Sequence, residues 1–300
     1  MELRQLLQVL SVAEHRSIGK AAAALGLTQP ALSKSIRRLE HELGVTLFER
    51  QPRGVTPTEF GEILLRHAKL MQVELREVRG EIEALRGGYA GSVVVGAGPS
   101  WLSRFLPLAV SRLLAKRPGV RVRVWGGFDD MLLRQLRQGD LDVVVAALPE
   151  RPSPDLTWRP LTVDDLRVCA RREHPLARRR RIALAQLQQQ SWVLPRREVL
   201  ARQRLDAIFL DKGLAPPNVL IESDSISFIL ETVRLTDCLG FVTSQAVSTD
   251  RVQGLTLLDV PDALSKRIAG VVHRARGSLS GGARLLIAEL ETICREVERN

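Results

Sequence analysis

Residues 17–50 read SIGKAAAALGLTQPALSKSIRRLEHELGVTLFER, and they decide the fold of the N-terminal region. Ser17 is placed to cap a helix over Ile18–Ala24. The alanine run allows close helix–helix approach, Gly26 supports a sharp turn, and Leu25 and Leu27 are expected to pack inward. Thr28 then caps a third helix, with Pro30 tolerated in its first turn. Leu32, Ile36, Leu39 and Leu43 form the buried stripe of that helix, and Gly44 ends it. Two helices therefore meet at a tight turn, and the second opens with small polar groups and continues into cations. That is how a helix is built to enter a DNA major groove.

Upstream, Leu3, Leu6, Leu7, Leu10 and Ala13 share one face at helical spacing and mark a core helix. Outward on the third helix stand Gln29, Ala31, Ser33, Lys34, Arg37 and Arg38. Gln can bond adenine in bidentate fashion, and Ser and Lys can reach base edges or phosphates. The helix N-terminus itself favours phosphate. A solvated face with ordinary charges is the bland alternative, and the capped spacing argues against it. Leu47–Arg50 and Val55-Thr56 bracket a Pro/Gly turn and predict a two-stranded wing. Arg53 at its tip could enter the minor groove; Arg50 is an ion-pair partner or a DNA contact. The DNA-facing set is completed by Ser17, Thr28 and Pro30 at the two helix starts.

A long helix capped by Thr58 follows. Leu64, Ala68, Met71, Leu75, Val78, Ile82 and Leu85 recur at alternating steps of four and three, a heptad seam suited to a second copy of the chain. The alternative is a helix lying on its own domain's core, but the spacing outruns a domain of this size. The divisions expected are 1–58 for the winged helix–turn–helix, 59–87 for the linker helix, and 88–300 for a C-terminal domain beyond the break Gly87-Gly88-Tyr89-Ala90-Gly91.

Bulk composition narrows the function classes. The chain has 300 residues and a net charge of +10, of which residues 1–90 hold a surplus of two and residues 91–300 a surplus of eight. DNA binding must rest on where the cations sit, not on total charge. Cys169, Cys238 and Cys294 are too far apart for a disulfide framework or a zinc site and suit reduced thiols in the cytoplasm. No signal peptide and no apolar run of spanning length is read, so no membrane partner is expected. No phosphate loop, nucleophile elbow or metal motif is found, and His15, His41, His67, His174 and His273 are scattered. Neither an enzyme nor a cofactor is expected.

Beyond residue 91, strand and helix patterns alternate. Strands are read at Val93–Val95, Val120–Trp125 and Leu141–Ala146, with helices at Leu102–Leu114 and Met131–Leu136. This βαβαβ order implies a mostly parallel sheet covered on both faces. A second block has strands near Arg167–Ala170, Trp192–Leu194, Asn218–Ile221 and Leu239–Val242, with helices near Ala183–Gln189, Val199–Asp211 and Ser225–Leu235. Arg267–His273 and Ala283–Glu298 then read as a returning strand and an amphipathic helix. Trp101, Trp125, Trp158 and Trp192 are expected mostly in the core, and Arg178–Arg181 reads as a solvated loop.

The N-terminal region resembles the DNA-binding domain of the LysR-type transcriptional regulators. The matching motifs are Ala21-Ala22, Leu25, Gln29-Pro30-Ala31-Leu32-Ser33, Ile36, Leu39-Glu40, Leu43-Gly44, Leu47-Phe48-Glu49-Arg50 and Thr56-Pro57-Thr58-Glu59-Phe60-Gly61. More loosely, the resemblance extends over the whole chain. It implies a multidomain fold: a winged helix–turn–helix, a linker helix, and two α/β lobes similar to periplasmic binding proteins. Lobe I would span about 91–161 plus 265–300, and lobe II about 162–264. It further implies a homodimer or homotetramer on double-stranded DNA, antiparallel pairing of linker helices, RNA polymerase as a partner, and a small effector between the lobes. A solute-binding protein, the other reading of such lobes, would lack the helix–turn–helix. Ligands of open α/β sheets sit beyond the strands' carboxyl ends, which points to Ser100 with Trp101 beside it, Arg196, Ser223 and Thr243. Ser100 and Ser223 are helix caps, ligand donors, or both. Arg196 would suit a carboxylate, and the basic surplus an anionic effector.

Overall fold

The computed structural model describes residues 1–51, 54–85, 91–148, 153–247, 253–277 and 279–299. These form two compact units. The first takes in Met1–Ile82 and Gln138–Asp140, and the second the rest of the chain.

The first unit is α1 (Leu3–His15), α2 (Ile18–Ala24), α3 (Gln29–Leu43), the hairpin β1 (Phe48–Gln51) and β2 (Gly54–Pro57), and the start of α4 (Glu59–Leu85). Its core joins Val9, Val12, Ala21, Ala22, Leu32, Ile36 and Leu39 to Leu47, Phe48, Val55 and Leu65. The buried face of α1 is thus Leu6, Val9 and Val12, while Leu3 and Leu7 are exposed. Leu25 and Leu43 are exposed as well, contrary to the helical spacing. Periodicity finds an apolar face but does not say what covers it.

Three contacts fix the hairpin. Glu40 Oε1 accepts from the N–H groups of Leu47 (2.8 Å) and Phe48 (3.3 Å). Val55 N–H donates to the carbonyl of Arg16 at 3.0 Å, an approach open because the residue before it is Gly54, at φ +136°. A Cβ at Gly61 would lie 2.2 Å from the Leu47 carbonyl oxygen, so α4 crosses the wing where only hydrogen fits.

The second unit opens with β3 (Ser92–Ala97), a π-turn at Trp101–Phe105, α5 (Leu106–Lys116), β4 (Arg121–Gly126), α6 (Asp129–Gln138) and β5 (Val143–Ala147). Then come β6 (Leu156–Arg171), β7 (Ser191–Leu194), α7 (Leu200–Asp211), β8 (Asn218–Glu222), α8 (Ile226–Leu235), β9 (Gly240–Thr243) and the short α9 (Ser244–Val247). The chain closes with β10 (Leu255–Leu257), β11 (Ser265–Arg274) and α10 (Gly281–Arg299). The main sheet runs β10-β6-β11-β5-β3-β4, with β9 also on β6; β7 and β8 form a parallel pair. In the first lobe β3 pairs in parallel with β4 and β5, as expected.

Burial on both faces explains the apolar strands. In β5, Val143 and Val145 pack with α5 and α10, while Val144 and Ala146 pack with α6. In the second lobe, Trp192 and Leu194 pack with Leu205 and Phe209 of α7, and Val193 with Ile229 and Val233 of α8.

The fold departs from the sequence reading in three places. The strand placed at Arg167–Ala170 is only the end of β6, a 16-residue strand. Its first half pairs antiparallel with β11 and its second half with β9 and β10. The segment Ala183–Gln189 holds only a 3₁₀ turn, Leu184–Leu187. Trp125 is exposed on the edge strand β4, whereas Trp101 and Trp192 are buried as expected. The break at residues 86–90 lies outside the described residues.

Gly61→Ala tests the wing–helix crossing. Helix propensity alone favours alanine by about 1 kcal/mol. The neighbour is a backbone carbonyl that cannot swing aside, so overpacking wins, with a net loss of about 1–3 kcal/mol. Calorimetry should show a lower melting midpoint for the N-terminal unit. A raised midpoint would mean the crossing is loose.

Candidate functional site

The third helix, α3, is positioned locally. Ser17 Oγ accepts from Lys20 N–H and Thr28 Oγ1 from Ala31 N–H, each at 3.4 Å, so both caps form as read. Gly44, at φ +71°, ends α3. Gln8 of α1 is buried and accepts a hydrogen bond from the Ser35 hydroxyl, which fixes the rotation of α3. Neither Gln8 nor Ser35 was singled out in the sequence, because their contact joins residues far apart in it. Gln29, Pro30, Ala31, Lys34, Arg37 and Arg38 are exposed, and Ser33 is half-buried. Among the described residues no ion pair engages Lys34, Arg37 or Arg38. Arg53 lies outside the described residues.

On α4 the seven seam positions divide. Leu64 is half-buried against the wing–helix core and borders the open apolar recess below, and Ala68 is buried within the chain. Met71, Leu75, Val78 and Ile82 are exposed; the side chain of Leu85 lies outside those described. The exposed apolar stripe starts at Met71, which also borders an open apolar recess with Leu43, Phe60 and Ile63.

Between the lobes of the second unit lies a cavity of about 50 Å³. Ser100 and Trp101 border it after β3, Phe128 and Asp129 at the start of α6, Ile226 and Ile229 on α8, and Phe241 and Thr243 on β9. Ser100, Trp101 and Thr243 thus meet there. The other two expected residues do not. Arg196 is held by carboxylates: Nε to Asp224 at 2.6 Å, Nη2 to Asp130 at 3.3 Å and Nη1 to Glu198 at 3.8 Å. Ser223 accepts from Ser225 N–H at 3.1 Å, and it is Ser225, accepting from Phe228 N–H at 3.3 Å, that caps α8. A strand-end rule locates such residues but not their partners.

The cavity's charged side chains are two that the sequence reading did not choose. Arg267 on β11 faces Asp164 on β6 and bonds it in bidentate fashion, Nε–Oδ1 2.5 Å and Nη2–Oδ2 2.9 Å. Their side chains are 11% and 4% exposed. Asp129 is 7% exposed and accepts from Leu200 N–H at 3.3 Å, a bond from the second lobe to the first. Burial pushes its carboxyl above the ordinary carboxylate range, against the opposing Leu200 hydrogen bond. Only the fold shows Asp129 at a cavity wall.

Residues 3–62 match the family described as bacterial regulatory helix-turn-helix proteins of the lysR family, and residues 86–295 match the LysR substrate binding domain. The regulator GbpR of Azospirillum brasilense is 31% identical over 293 residues, covering 97% of this chain and 86% of that protein. Full-length OxyR from Pseudomonas aeruginosa superposes with a TM-score of 0.72 at 24% identity, covering 97% of this chain and 94% of that one. Full-length CbnR in complex with its target DNA gives 0.68 at 21%, covering 99% of each chain. The chain belongs to the LysR-type transcriptional regulators. It is a DNA-binding regulator with a C-terminal effector-binding domain, not an enzyme.

The Asp164–Arg267 pair is testable by a double-mutant cycle. Asp164→Leu alone strands a buried cation and should cost about 3–5 kcal/mol. Adding Arg267→Met should recover most of that loss, read by urea unfolding. Losses that simply add would mean the two side chains are not coupled.

Proposed function

We propose that this regulator reads its operator with α3 and works as a homodimer or homotetramer, and that a small effector between the lobes sets its DNA-bound state. The observation that carries the reading is α3 itself: capped, fixed in rotation, and presenting Gln29, Lys34, Arg37 and Arg38 exposed, with no ion pair to its three cations among the described residues. That CbnR, a protein of similar fold, is seen in complex with its target DNA supports DNA binding by this chain. The exposed stripe from Met71 to Ile82, continuous with the recess at Phe60 and Ile63, supports pairing with a second copy. Symmetric pairing places two reading helices on one site. Arg53, which lies outside the described residues between β1 and β2 in sequence, is assigned to the minor groove or phosphates. The work is done in the cytoplasm, with RNA polymerase as the partner that converts occupancy into transcription. Among the described residues no helix is long and apolar enough to cross a membrane.

Gln29→Ala and Lys34→Ala should each weaken operator binding by about 1–3 kcal/mol. Footprints matching the wild type for both variants would remove α3 from the interface. Met71→Asp with Val78→Asp would bury charge in an apolar seam. Sedimentation should then show monomers, with operator affinity lost in parallel. An intact dimer would place the interface elsewhere.

A further inference from the structure

The interlobe cavity is not suited to an anion. Arg267 is committed to Asp164, and as a unit that pair is neutral. Arg196 is off the cavity wall and faces three carboxylates. At the wall, Asp129 has no ion-pair partner among the described residues; Arg267, committed to Asp164, acts on it only as a nearby charge. An ionised carboxylate has about four acceptor sites. Among the described residues, Leu200 N–H is the single donor that another residue offers Asp129. A carboxylate or phosphate placed here would lose its water beside a like charge.

The remaining polar atoms complete the recognition pattern. Arg267 uses Nε and Nη2 on Asp164 and has further N–H groups at the wall. Ser100 makes no cap bond, and its hydroxyl and that of Thr243 border the same space. Asp129 can only accept, Arg267 can only donate, and a hydroxyl does both. An ammonium ion would satisfy Asp129 but would meet the guanidinium and could not accept from it. Trp101, Phe128, Ile229 and Phe241 supply an apolar wall. The upward push of burial on Asp129 agrees with a dry site.

We infer that the cavity takes a neutral, hydroxyl-bearing small molecule with one apolar face, and that Asp129 accepts from its hydroxyl and turns away carboxylates and phosphates. This inference rests on the effector reading above and replaces the anion that the basic surplus suggested.

Calorimetry on the full-length protein tests it with two matched pairs of probes: cis-1,2-cyclohexanediol against cyclohexanecarboxylate, and benzyl alcohol against benzoate. The neutral member should bind more tightly by about tenfold or more, which is 1.4 kcal/mol. Asp129→Asn should narrow or reverse that order. Asp129→Thr provides a second variant should the first fail to fold. Ala246→Trp, which fills the cavity from α9, should abolish binding of both members. Carboxylates preferred by the wild type, lost in Ala246→Trp and indifferent to Asp129→Asn, would overturn the ligand class and leave the effector site standing. Binding that survives Ala246→Trp, or no binding by any probe, would overturn the site as well.

Discussion

The second unit depends on two long paired strands that share a buried ion pair. β6 leaves the first lobe and continues into the second, and β11 returns beside it. Arg267 and Asp164 are cross-strand partners on this ribbon. Removing two charges from water is costly, and the bidentate geometry offsets that only while both partners are present. The pair therefore penalises any movement that separates the two strands locally. Further along, the register shifts between Ala269 and Gly270. A Cβ at Gly270 would lie 2.1 Å from the Arg159 carbonyl oxygen, so the ribbon bends there only because the residue is glycine. An ion pair at the cavity wall and a bulge beyond it give the ribbon one fixed point and one bend. A ligand can shift the lobes only through its differential affinity for their arrangements, and a ligand touching Arg267 touches the fixed point directly.

The DNA-binding unit solves a related problem by local means. A helix that must present a polar face has to be gripped from behind. The grip is apolar at Leu32, Ile36 and Leu39, and polar where Gln8 takes the Ser35 hydroxyl and Glu40 takes two N–H groups of the wing. One side of α3 is thereby fully engaged, and on the other Lys34, Arg37 and Arg38 form no ion pairs among the described residues. Preformed donors lose less side-chain entropy on binding than ones that must first leave an internal partner.

Legibility in the sequence followed the range of each interaction. The caps Ser17 and Thr28 and the C-cap Gly44 act within a few residues, and all were readable. Strands buried on both faces were readable as apolar runs, as in Val143–Ala147. The first half of β6 was not. It contains Pro160, which argues against a strand, and it is strand only because Gly270 lies opposite it at the bulge. Arg267 and Asp164 are 103 positions apart, and nothing local marks either. Arg196 was readable as a strand-end cation, but its three carboxylates come from different segments of the chain. Leu64 and Met71 look alike in a heptad; one packs on its own core and the other is exposed, a difference set by where α4 leaves the wing.

The charge distribution ties the two units to one logic. The chain carries +10, yet residues 1–90 hold a surplus of only two. Nonspecific affinity for DNA scales with the number of phosphates neutralised, which depends on where the cations sit rather than on the unit's net charge. Its affinity must come from a few placed donors, each worth more on the right base than on the wrong one. Few donors on one copy make a weak binder, and pairing two copies doubles both the base contacts and the phosphates engaged. On the proposed pairing, the exposed apolar stripe on α4 would serve DNA reading directly, by bringing two copies of α3 to one site. A ligand in the second unit need not alter α3 at all to control occupancy. It need only alter how two copies present their reading helices to one operator.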